Sequence, residues 1–414
     1  RTGIGNAVAW TIDALRDDAD LELRPYVTSM RARVRSPQRR LPIPAAVALR
    51  LWARRSPPVD RLLGHPDVVH GTNYVVPPTQ CPRLVTVYDC WFLDHPADAL
   101  PDVRRAAAVL RRAVIDGAHV VTSSDATSRR VRELLGTDRV RTILLGPPPI
   151  DLAATTASDL RLQPVQAPSG LPDLTSAPFV LAVGTLERRK NLPTLVAAFG
   201  RLAREHPSVK LVMAGAVGND ADAVNRGIAR LDPAIAERVI RTAPVADPTK
   251  RWLLQHARAL AYPSLDEGFG FPILEAQLLG TPVVASTAGS IPQIAGAAAL
   301  LSPAHDAEAL AANLYWIVSN DEMYAKLVRR GHTNVTRFSW AHTARQLADT
   351  CSVVSLDEAF FTEVREDFER TNHSLLGLIR ALQRRCPADS GEWLCYGATV
   401  QDITDSHTAR VLVK

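Results

Sequence analysis

The stretch PSLDEGFGFPILEA, residues 263–276, follows a short apolar run and precedes a helical pattern. The order of strand, glycine-rich turn and helix is the repeating unit of a parallel sheet covered by helices. We expect Glu267 on the turn and Glu275 in the first helical turn, both at the carboxyl edge of the sheet. Carboxylates there accept hydrogen bonds from sugar or ribose hydroxyls, and Gly268 and Gly270 let backbone amides approach a ligand. Two carboxylates that only cap the helix are the structural alternative.

The same alternation of apolar runs and helical patterns extends through the whole back half of the chain. Continuous apolar strands of this kind are typical of a parallel sheet that is buried on both faces. One helical pattern covers Asn191–His206, with Asn191 at the N-cap position and Pro193 in the first turn. The predicted strands are Phe179–Thr185, Val209–Gly215, Arg238–Thr242, Ala259–Ser264, Pro282–Ser286 and Ala298–Pro303.

The front half repeats the pattern, so we predict an α/β protein with two doubly wound domains that face each other across a cleft. The domains are expected at residues 1–150 and 179–336, joined by a linker at 151–178 within a region rich in Pro, Ser and Ala. Nothing precedes the glycine loop at residues 2–5, so we expect the front domain to lack its first strand. The predicted front strands are Glu22–Ser29, Asp67–Thr72, Arg83–Asp89, His119–Ser124 and Val140–Leu145.

A second motif, GTLERRKN at residues 184–191, follows the first predicted strand of the back domain. Helix N-termini bind anions because free N–H groups and the helix dipole converge there. Arg189 and Lys190 add two formal charges, which suit a diphosphate. An exposed basic loop at a strand end is the alternative.

The composition is that of an ordinary globular protein, with 46% hydrophobic and 22% charged residues. No apolar run is long enough to predict a membrane-spanning helix. Five scattered cysteines without a C-x-x-C pair argue against a disulfide framework and a zinc site, and indicate a reducing cytosol. We therefore expect a cytoplasmic protein.

The positive charge is concentrated between Arg24 and Arg61, where ten arginines face a single acid, Asp60. Three interpretations stay open: a solvated basic loop, attraction to an anionic membrane or lipid phosphate, and nucleic-acid binding. The last is disfavoured because no aromatic residues interleave with the arginines. The protein is accordingly expected in the cytoplasm, with peripheral contact at the inner face of the cell membrane as the second interpretation.

Residues 1–351 resemble the family-four retaining glycosyltransferases of the GT-B fold. The resemblance rests on the Glu267-x₇-Glu275 pair in its EGFGFP setting and on the RKN step at 189–191. It also rests on GTPVV at 280–284, AGSIP at 288–292 and the closing RFSW at 337–340. The resemblance implies two Rossmann-like domains and a last helix, at 337–352, that crosses back to the front domain.

The resemblance also implies a role for each matching residue. Glu275 would hold the ribose of a nucleotide sugar, Glu267 the donor sugar, and Arg189 with Lys190 the diphosphate, so that the last three are the expected catalytic residues. Further donor-binding residues would be Gly184, Thr185, Val245, Gly268, Phe269, Gly270 and Phe271. The acceptor or the phosphates would contact Gly3, Gly5, His70, Tyr88 and Asp89.

Enzymes of this family need no metal ion, because cationic side chains and a helix N-terminus stabilise the leaving diphosphate. Two Asp-x-Asp triplets, Asp18–Asp20 and Asp220–Asp222, would fit a metal-dependent alternative, but both lie in polar stretches typical of solvated surface. Departures from the family are Thr185 in place of Arg, Tyr88 in place of His and Gln293 in place of an acid. We expect neither a metal nor another cofactor.

The tail has a different pattern. From Ser355 onwards, a long helical signal and the segment around Gly391–Asp405 resemble a fragment of the fumarase/adenylosuccinate-lyase superfamily, closest to its carboxymuconate-cycloisomerase-like branch. The resemblance covers residues 355–414, and implies substrate-binding roles for His373, Thr399 and Gln401. Because lyase sites combine segments of several subunits, we expect this fragment to be inert.

These observations predict transfer of a hexose, with mannose from GDP-mannose favoured, to a glycan or lipid-linked acceptor with retention of configuration. A catalytically silent nucleotide-sugar-binding protein is the main alternative, and a lyase is a weaker one. No nucleic-acid partner is expected.

Overall fold

The computed structural model describes residues 3–16, 21–54, 56–150 and 174–354, together with five helical positions between 362 and 370. The chain divides into two compact units, Arg1–Ala348 and Asp349–Lys414. Most of the linker expected at 151–178 and nearly all of the lyase-like segment lie outside the described residues. In the part of the chain that the structure describes, no helix is long and apolar enough to cross a membrane.

The described chain alternates strands with helices. Its strands are β1 (Tyr26–Thr28), β2 (Arg39–Leu41), β3 (Val69–Gly71), β4 (Arg83–Val87), β5 (His119–Thr122), β6 (Val140–Thr142), β7 (Phe179–Val183), β8 (Lys210–Ala214), β9 (Val239–Thr242), β10 (Ala259–Tyr262), β11 (Val283–Ser286) and β12 (Ala299–Ser302). Its α-helices are α1 (Gly3–Leu15), α2 (Ala45–Trp52), α3 (Asp60–Leu63), α4 (Trp91–Asp94), α5 (Pro101–Ile115), α6 (Asp125–Leu135), α7 (Leu192–Glu205), α8 (Ala221–Ala229), α9 (Pro233–Ala236), α10 (Asp247–His256), α11 (Phe271–Leu278), α12 (Ile291–Ala295), α13 (Ala307–Ser319), α14 (Asp321–Val335) and α15 (Trp340–Val354).

The back domain is a six-stranded parallel sheet in the order β12-β11-β10-β7-β8-β9. Its predicted strands are all present, and every residue of β10 and β11 is buried. The strand order reverses between β7 and β10, because the chain first adds strands on one side of β7 and then on the other. Such a reversal leaves a crevice at the carboxyl ends of the two strands, where ligands bind in open α/β sheets.

The front domain contains a four-stranded parallel sheet in the order β3-β4-β5-β6. The expectation that residues 22–29 add a strand to this sheet is wrong. Instead β1 pairs in parallel with β2 as a separate two-stranded sheet. Strand β2 carries Arg39 and Arg40, both exposed, and such side chains lose too much hydration to enter a sheet covered on both faces.

Residues 3–5 do not form the expected glycine loop. Gly3 and Gly5 lie in the first turn of α1, and Ala7, Thr11 and Leu15 on this helix form its buried stripe. The members of that stripe are four residues apart, which is a helical spacing. Burial of the stripe stabilises the helix although glycine, a weak helix former, begins it. The prediction of a missing first strand concerns the start of the sequence and stays a prediction.

Helix α15 contacts the front domain. The indole nitrogen of Trp340 donates to the Pro147 carbonyl at 2.7 Å, and Thr343 Oγ1 donates to the Leu144 carbonyl at 2.8 Å. A β-carbon on Gly146 would lie 2.4 Å from the Trp340 ring, so only glycine allows this close packing. The two domains are therefore joined by the last helix as well as by the linker.

Candidate active site in the interdomain cleft

Three charged side chains meet at the carboxyl edge of the back-domain sheet. Glu267 accepts hydrogen bonds from Lys190 Nζ at 2.6 Å and from Arg189 Nη1 at 2.7 Å, one on each carboxylate oxygen. Lys190 Nζ also donates to the Tyr262 hydroxyl at 3.0 Å. The structure thus brings together the three residues expected to be catalytic, and it places them at the crevice between β7 and β10.

Local backbone geometry positions the two cations. After β7 the chain forms a 3₁₀ turn, Arg188–Lys190, and then Asn191 adopts a left-handed conformation with φ of 54° before α7 begins. The Asn191 side chain does not cap the helix but donates to the carbonyls of Pro263 and Ala304. The Leu265 amide donates to the Arg189 carbonyl at 2.7 Å, so the basic turn and the glycine-rich turn are tied together.

The second glutamate of the motif lies farther along α11. Glu275 is the fifth residue of the helix and so belongs to the second turn, whereas the sequence placed it in the first. Its side chain is 11% exposed, and one carboxylate oxygen accepts from Lys250 Nζ at 2.7 Å. Lys250 was missed at the sequence level, because a lysine on α10 carries no local signal that it contacts a residue of α11.

The front domain contacts the glycine-rich turn directly. A β-carbon on Gly268 would lie 1.7 Å from the Tyr88 carbonyl oxygen, so the two backbones are in contact at this point. Ser123 Oγ, at the end of β5, donates to the Gly268 carbonyl at 3.1 Å. Tyr88 itself is buried, and its side chain does not lie free in a wide cleft. The cleft is closed at Gly268 in this structure.

A second bridge between the domains explains one departure from the family. Gln293 Nε2 donates to Asp125 Oδ2 at 2.7 Å, and its Oε1 accepts from the Asp125 amide at 2.9 Å. A carboxylate at position 293 would repel Asp125 and has no N–H group to donate. Glutamine at position 293 therefore suits this chain, because its amide group can bond both the backbone amide and the carboxylate of Asp125.

Four carboxyl groups surround Arg189, those of Glu187, Glu267, Asp89 and Asp266. Burial alone would raise the pKa of Glu267, but the charges of Arg189 and Lys190 lower it to about 2. Burial raises the pKa of Asp89, and the Glu267 charge adds to this effect. The pKa of Asp266 rises to about 6, first through burial and then through the charges of Asp89 and Glu267. The front-strand residue Asp89 is thereby part of the donor-side electrostatics.

Replacing Asp266 by Asn is expected to stabilise the protein near pH 8 and to change its stability little near pH 4. The pKa of Asp266 is raised by folding from an ordinary value of 3.8 to about 6. The folded chain therefore binds the proton of the Asp266 carboxyl more tightly than the unfolded chain does. The contribution of this group to the free energy of unfolding is complete below pH 3.8 and is lost as pH rises through 6. Thermal unfolding between pH 4 and pH 8 measures the gain in the free energy of unfolding of the variant, which is expected to be on the order of 2 kcal/mol at pH 8. Equal gains at both ends would contradict this account.

Other predicted site residues lie at the domain boundary, beside Lys190 or away from the charged cluster. The rings of Phe269 and Phe271 pack against each other at 5.0 Å, and Trp10 of α1 contacts Phe271 at 5.5 Å. Gly3 and Gly5 thus belong to a helix that contacts the back domain through Trp10. Gly184, with φ of 139°, and Thr185 line a small cavity at the end of β7 together with Lys190. Val245 is half-buried between β9 and α10.

His70 is placed inside the front domain. Its Nε2 shares a hydrogen bond of 2.7 Å with Thr86 Oγ1, and burial lowers its pKa to about 4. It lines a cavity of about 20 Å³ with Tyr88, Thr11 of α1 and Thr343 of α15. The substrate contact predicted for His70 stays a prediction.

The Asp220–Asp222 triplet does not join the charged cluster. Asp18–Asp20 lies outside the described residues, and Asp220 is the N-cap residue of α8 with Asp222 in the first turn. Within the described ranges, no three His, Cys, Asp or Glu side chains are close enough to hold a metal ion. The groups that face an anion at the cluster are Arg189 and Lys190.

Residues 171–333 match the family model described as glycosyl transferases group 1. A D-inositol 3-phosphate glycosyltransferase of Mycolicibacterium paratuberculosis is 30% identical over 323 residues, which cover 73% of this chain and 69% of the relative. The chain belongs to the group 1 glycosyl transferases. It is accordingly a transferase enzyme, and its resemblance to GT-B glycosyltransferases is confirmed at the level of the family.

This glycosyltransferase is also similar to a second curated relative and to a solved structure. O-antigen chain mannosyltransferase B of Escherichia coli is 28% identical over 288 residues, which cover 67% of this chain and 72% of the relative. More than a quarter of each of these two relatives therefore has no counterpart in the match. The crystal structure of a glycosyltransferase from Rickettsia africae superposes with a TM-score of 0.56 at 18% identity, over 84% of this chain and 94% of that one. The GT-B fold is thus shared at low sequence identity. These comparisons do not bear on the lyase resemblance of residues 355–414, which stays a prediction.

Proposed function

We propose that this glycosyltransferase transfers a hexose from a nucleotide-diphosphate sugar to an acceptor hydroxyl, with retention of configuration and without a metal ion. The observation that carries the proposal is the convergence of Arg189 and Lys190 on Glu267 at the switch point of the donor-side sheet. Two cations held on a rigid turn suit a diphosphate that gains charge as it leaves. Glu267 offsets one of these two positive charges, so the trio keeps a net positive charge toward a donor.

The reaction forms a bond between the acceptor oxygen and the anomeric carbon and breaks the bond from that carbon to the phosphate. The acceptor proton passes to an oxygen of the departing diphosphate, so no strong protein base is required. Arg189 and Lys190 stabilise the charge that develops on the diphosphate, and Glu267 accepts hydrogen bonds from the sugar hydroxyls. Tyr88 suits this scheme, since its phenol keeps its own proton at neutral pH and so cannot abstract one, and burial raises its pKa further.

Glu275 is assigned to the ribose. Lys250 holds one of its oxygens at 2.7 Å and leaves the other available to accept hydrogen bonds from ribose hydroxyls. Glu275→Ala is therefore expected to weaken nucleoside diphosphate binding by about 2 kcal/mol, roughly 30-fold, the typical size of a lost hydrogen bond to a charged group. Titration calorimetry measures the affinity. The matched control is Glu308→Ala, an exposed glutamate on α13, and equal affinities for the two variants would remove the ribose assignment.

Mannose from GDP-mannose is the favoured donor. The support is that the Escherichia coli relative is a mannosyltransferase of the O-antigen chain. A glycan or lipid-linked acceptor agrees with the same comparison. The arginines between Arg24 and Arg61 would bring the enzyme to an anionic membrane surface where such an acceptor resides.

The test is a thermal-shift screen of the full chain against GDP, UDP, ADP and their sugar conjugates, with EDTA present throughout. A ligand that binds the folded state raises its stability by about 2.7 kcal/mol at a hundredfold excess over Kd. A selective shift with GDP and GDP-mannose supports the donor proposal, and a shift with UDP alone overturns the choice of base. Donor hydrolysis in EDTA then separates an active enzyme from a catalytically silent binding protein. Loss of hydrolysis in EDTA would overturn metal independence.

A further inference from the structure

Helix α2 presents an exposed stripe in which apolar and cationic side chains alternate. Val47 is 41% and Leu51 48% exposed, and the exposed arginines Arg50 and Arg54 fall between and after them at helical spacing. The opposite side of the helix is fixed to the core through Trp52, which is 6% exposed. An apolar and cationic stripe on a firmly packed helix is the pattern of a surface that lies in a membrane interface.

The stripe leads to a pocket of about 470 Å³ at the amino-terminal edge of the front sheet. The pocket lies between the end of α2, the start of β4 and the end of α5. The catalytic cleft is at the other edge, because β4 runs from Arg83 through about 13 Å of strand before it reaches the cleft. The polar and charged lining consists of Arg54, Ser56, Thr79, Gln80, Arg83, Arg112 and Asp116.

The pocket carries an excess of positive charge. Asp116 accepts from Arg112 Nε at 2.9 Å and from Nη2 at 2.5 Å, and Arg83 Nη2 donates to the Asp116 carbonyl oxygen at 3.1 Å. Arg54 makes no ion pair with any residue in the described part of the chain. Three guanidinium groups thus face one carboxylate, and the side chain of Arg83 is only 10% exposed. Guanidinium groups in such a cluster bind phosphate with paired hydrogen bonds.

We propose that this pocket binds the phosphate of an anionic phospholipid headgroup, while Val47 and Leu51 enter the boundary between headgroups and acyl chains. A lipid is favoured over free phosphate as the occupant, because Arg54 belongs both to the stripe on α2 and to the pocket lining. A headgroup in the pocket would therefore have its acyl chains next to the apolar residues of the stripe. Ile115, directly before Asp116, is 75% exposed as well. This site is separate from the donor cleft. The proposal rests on the membrane contact proposed above for the arginines between Arg24 and Arg61, and it specifies the lipid that they contact.

Flotation of the full chain with vesicles tests the surface. Vesicles of phosphatidylcholine containing one third phosphatidylglycerol are expected to bind the protein, and pure phosphatidylcholine vesicles are not. Each arginine near an anionic surface contributes about fivefold to binding, so Arg50→Gln with Arg54→Gln is expected to lower vesicle affinity about 25-fold. Val47→Ser with Leu51→Ser is expected to lower it about tenfold. Equal binding to both vesicle types would overturn the proposal.

Matched controls lie on the back domain. Arg201 and Arg204 are exposed on α7 at similar spacing, and Val217 is 82% exposed. Arg201→Gln with Arg204→Gln, and Val217→Ser, are expected to leave vesicle affinity unchanged. If these variants lose as much affinity as the α2 variants, attraction by the net charge of the chain replaces the α2 surface as the explanation.

The pocket itself is tested by a gain of binding. Asp116→Asn removes the carboxylate that competes for Arg83 and Arg112, so vesicle affinity is expected to rise about fivefold. Unchanged affinity would exclude the pocket as the headgroup site. Stabilisation by glycerol phosphate or inorganic phosphate in the absence of vesicle binding would assign the pocket to a free phosphate and overturn the lipid. The nucleotide-induced thermal shift of each variant is measured separately, so failure of the donor proposal is distinguishable from failure of this one.

Discussion

Replacing Lys190 by Met is expected to lower kcat by about 10²- to 10³-fold, the cost of removing one group that stabilises charge in a transition state. Lys190 Nζ lies 2.6 Å from Glu267 and 3.0 Å from the Tyr262 hydroxyl, on a turn that packing holds in place. The ammonium group is thus positioned before the donor arrives and reorganises little during the reaction. Steady-state kinetics with a saturating donor measure the loss of kcat.

A structural role of Lys190 is separated from a catalytic one by a second variant. Lys190→Met leaves Glu267 paired only with Arg189, so part of the drop in activity would come from lower stability. A buried charge left without any partner costs about 3–5 kcal/mol, and the remaining arginine keeps the expected loss below that range. Arg258→Met removes a partly buried cation of the same domain, which donates to the Ile317 carbonyl and to Asp321, and is expected to lower stability but not kcat. An equal loss of kcat in the two variants would show that Lys190 serves folding alone.

Gly268→Ala is expected to lower kcat about a hundredfold, because a misplacement of the reacting groups by 1 Å lowers the rate by about that factor. Nucleotide affinity is expected to stay within about threefold. The added β-carbon would lie 1.7 Å from the Tyr88 carbonyl oxygen, so the front domain must move away from the turn. Gly268 does not have a left-handed backbone, and alanine therefore introduces no strain within the back domain. Kinetics with calorimetry of the same preparation separates domain closure from donor binding.

The control for Gly268 is another glycine that has room for a methyl group. A β-carbon on Gly227, in α8, would contact Val196 at an ordinary distance of 3.4 Å. Gly227→Ala is therefore expected to leave kcat and nucleotide affinity unchanged. If Gly268→Ala behaves in the same way, the contact between Gly268 and Tyr88 has no part in catalysis.

The back domain was predictable because its strands are buried on both faces. A strand such as Ala259–Tyr262 then consists wholly of apolar residues. Such a run predicts a strand even when the register of its pairing is not known. The front domain offers a weaker signal. The strand expected at residues 22–29 has the right composition, but its partner is the charged β2, which no periodicity indicates. Pairing between strands depends on which surfaces are covered, and a sequence window does not contain that information.

The same distinction applies within the site. Arg189, Lys190, Glu267 and Glu275 belong to short motifs in which strand, turn and helix follow one another, so their position at the sheet edge was predictable. Lys250 and Asp125 act through partners 25 and 168 residues away, Glu275 and Gln293 respectively. Their roles depend on how helices and domains pack, and neither has a local pattern.

The sequence by itself determined the transferase family, the parallel order of strand and helix, and the residues that line the end of β7 and the turn after β10. These properties depend on short-range periodicity and on turn residues, which a single chain segment carries. Only the tertiary structure decided that Lys190 and Arg189 share Glu267, that Gly268 lies against Tyr88, and that three arginines line a pocket behind the front sheet. Each of these contacts joins distant segments, so each exists only because burial of the apolar faces brings those segments together.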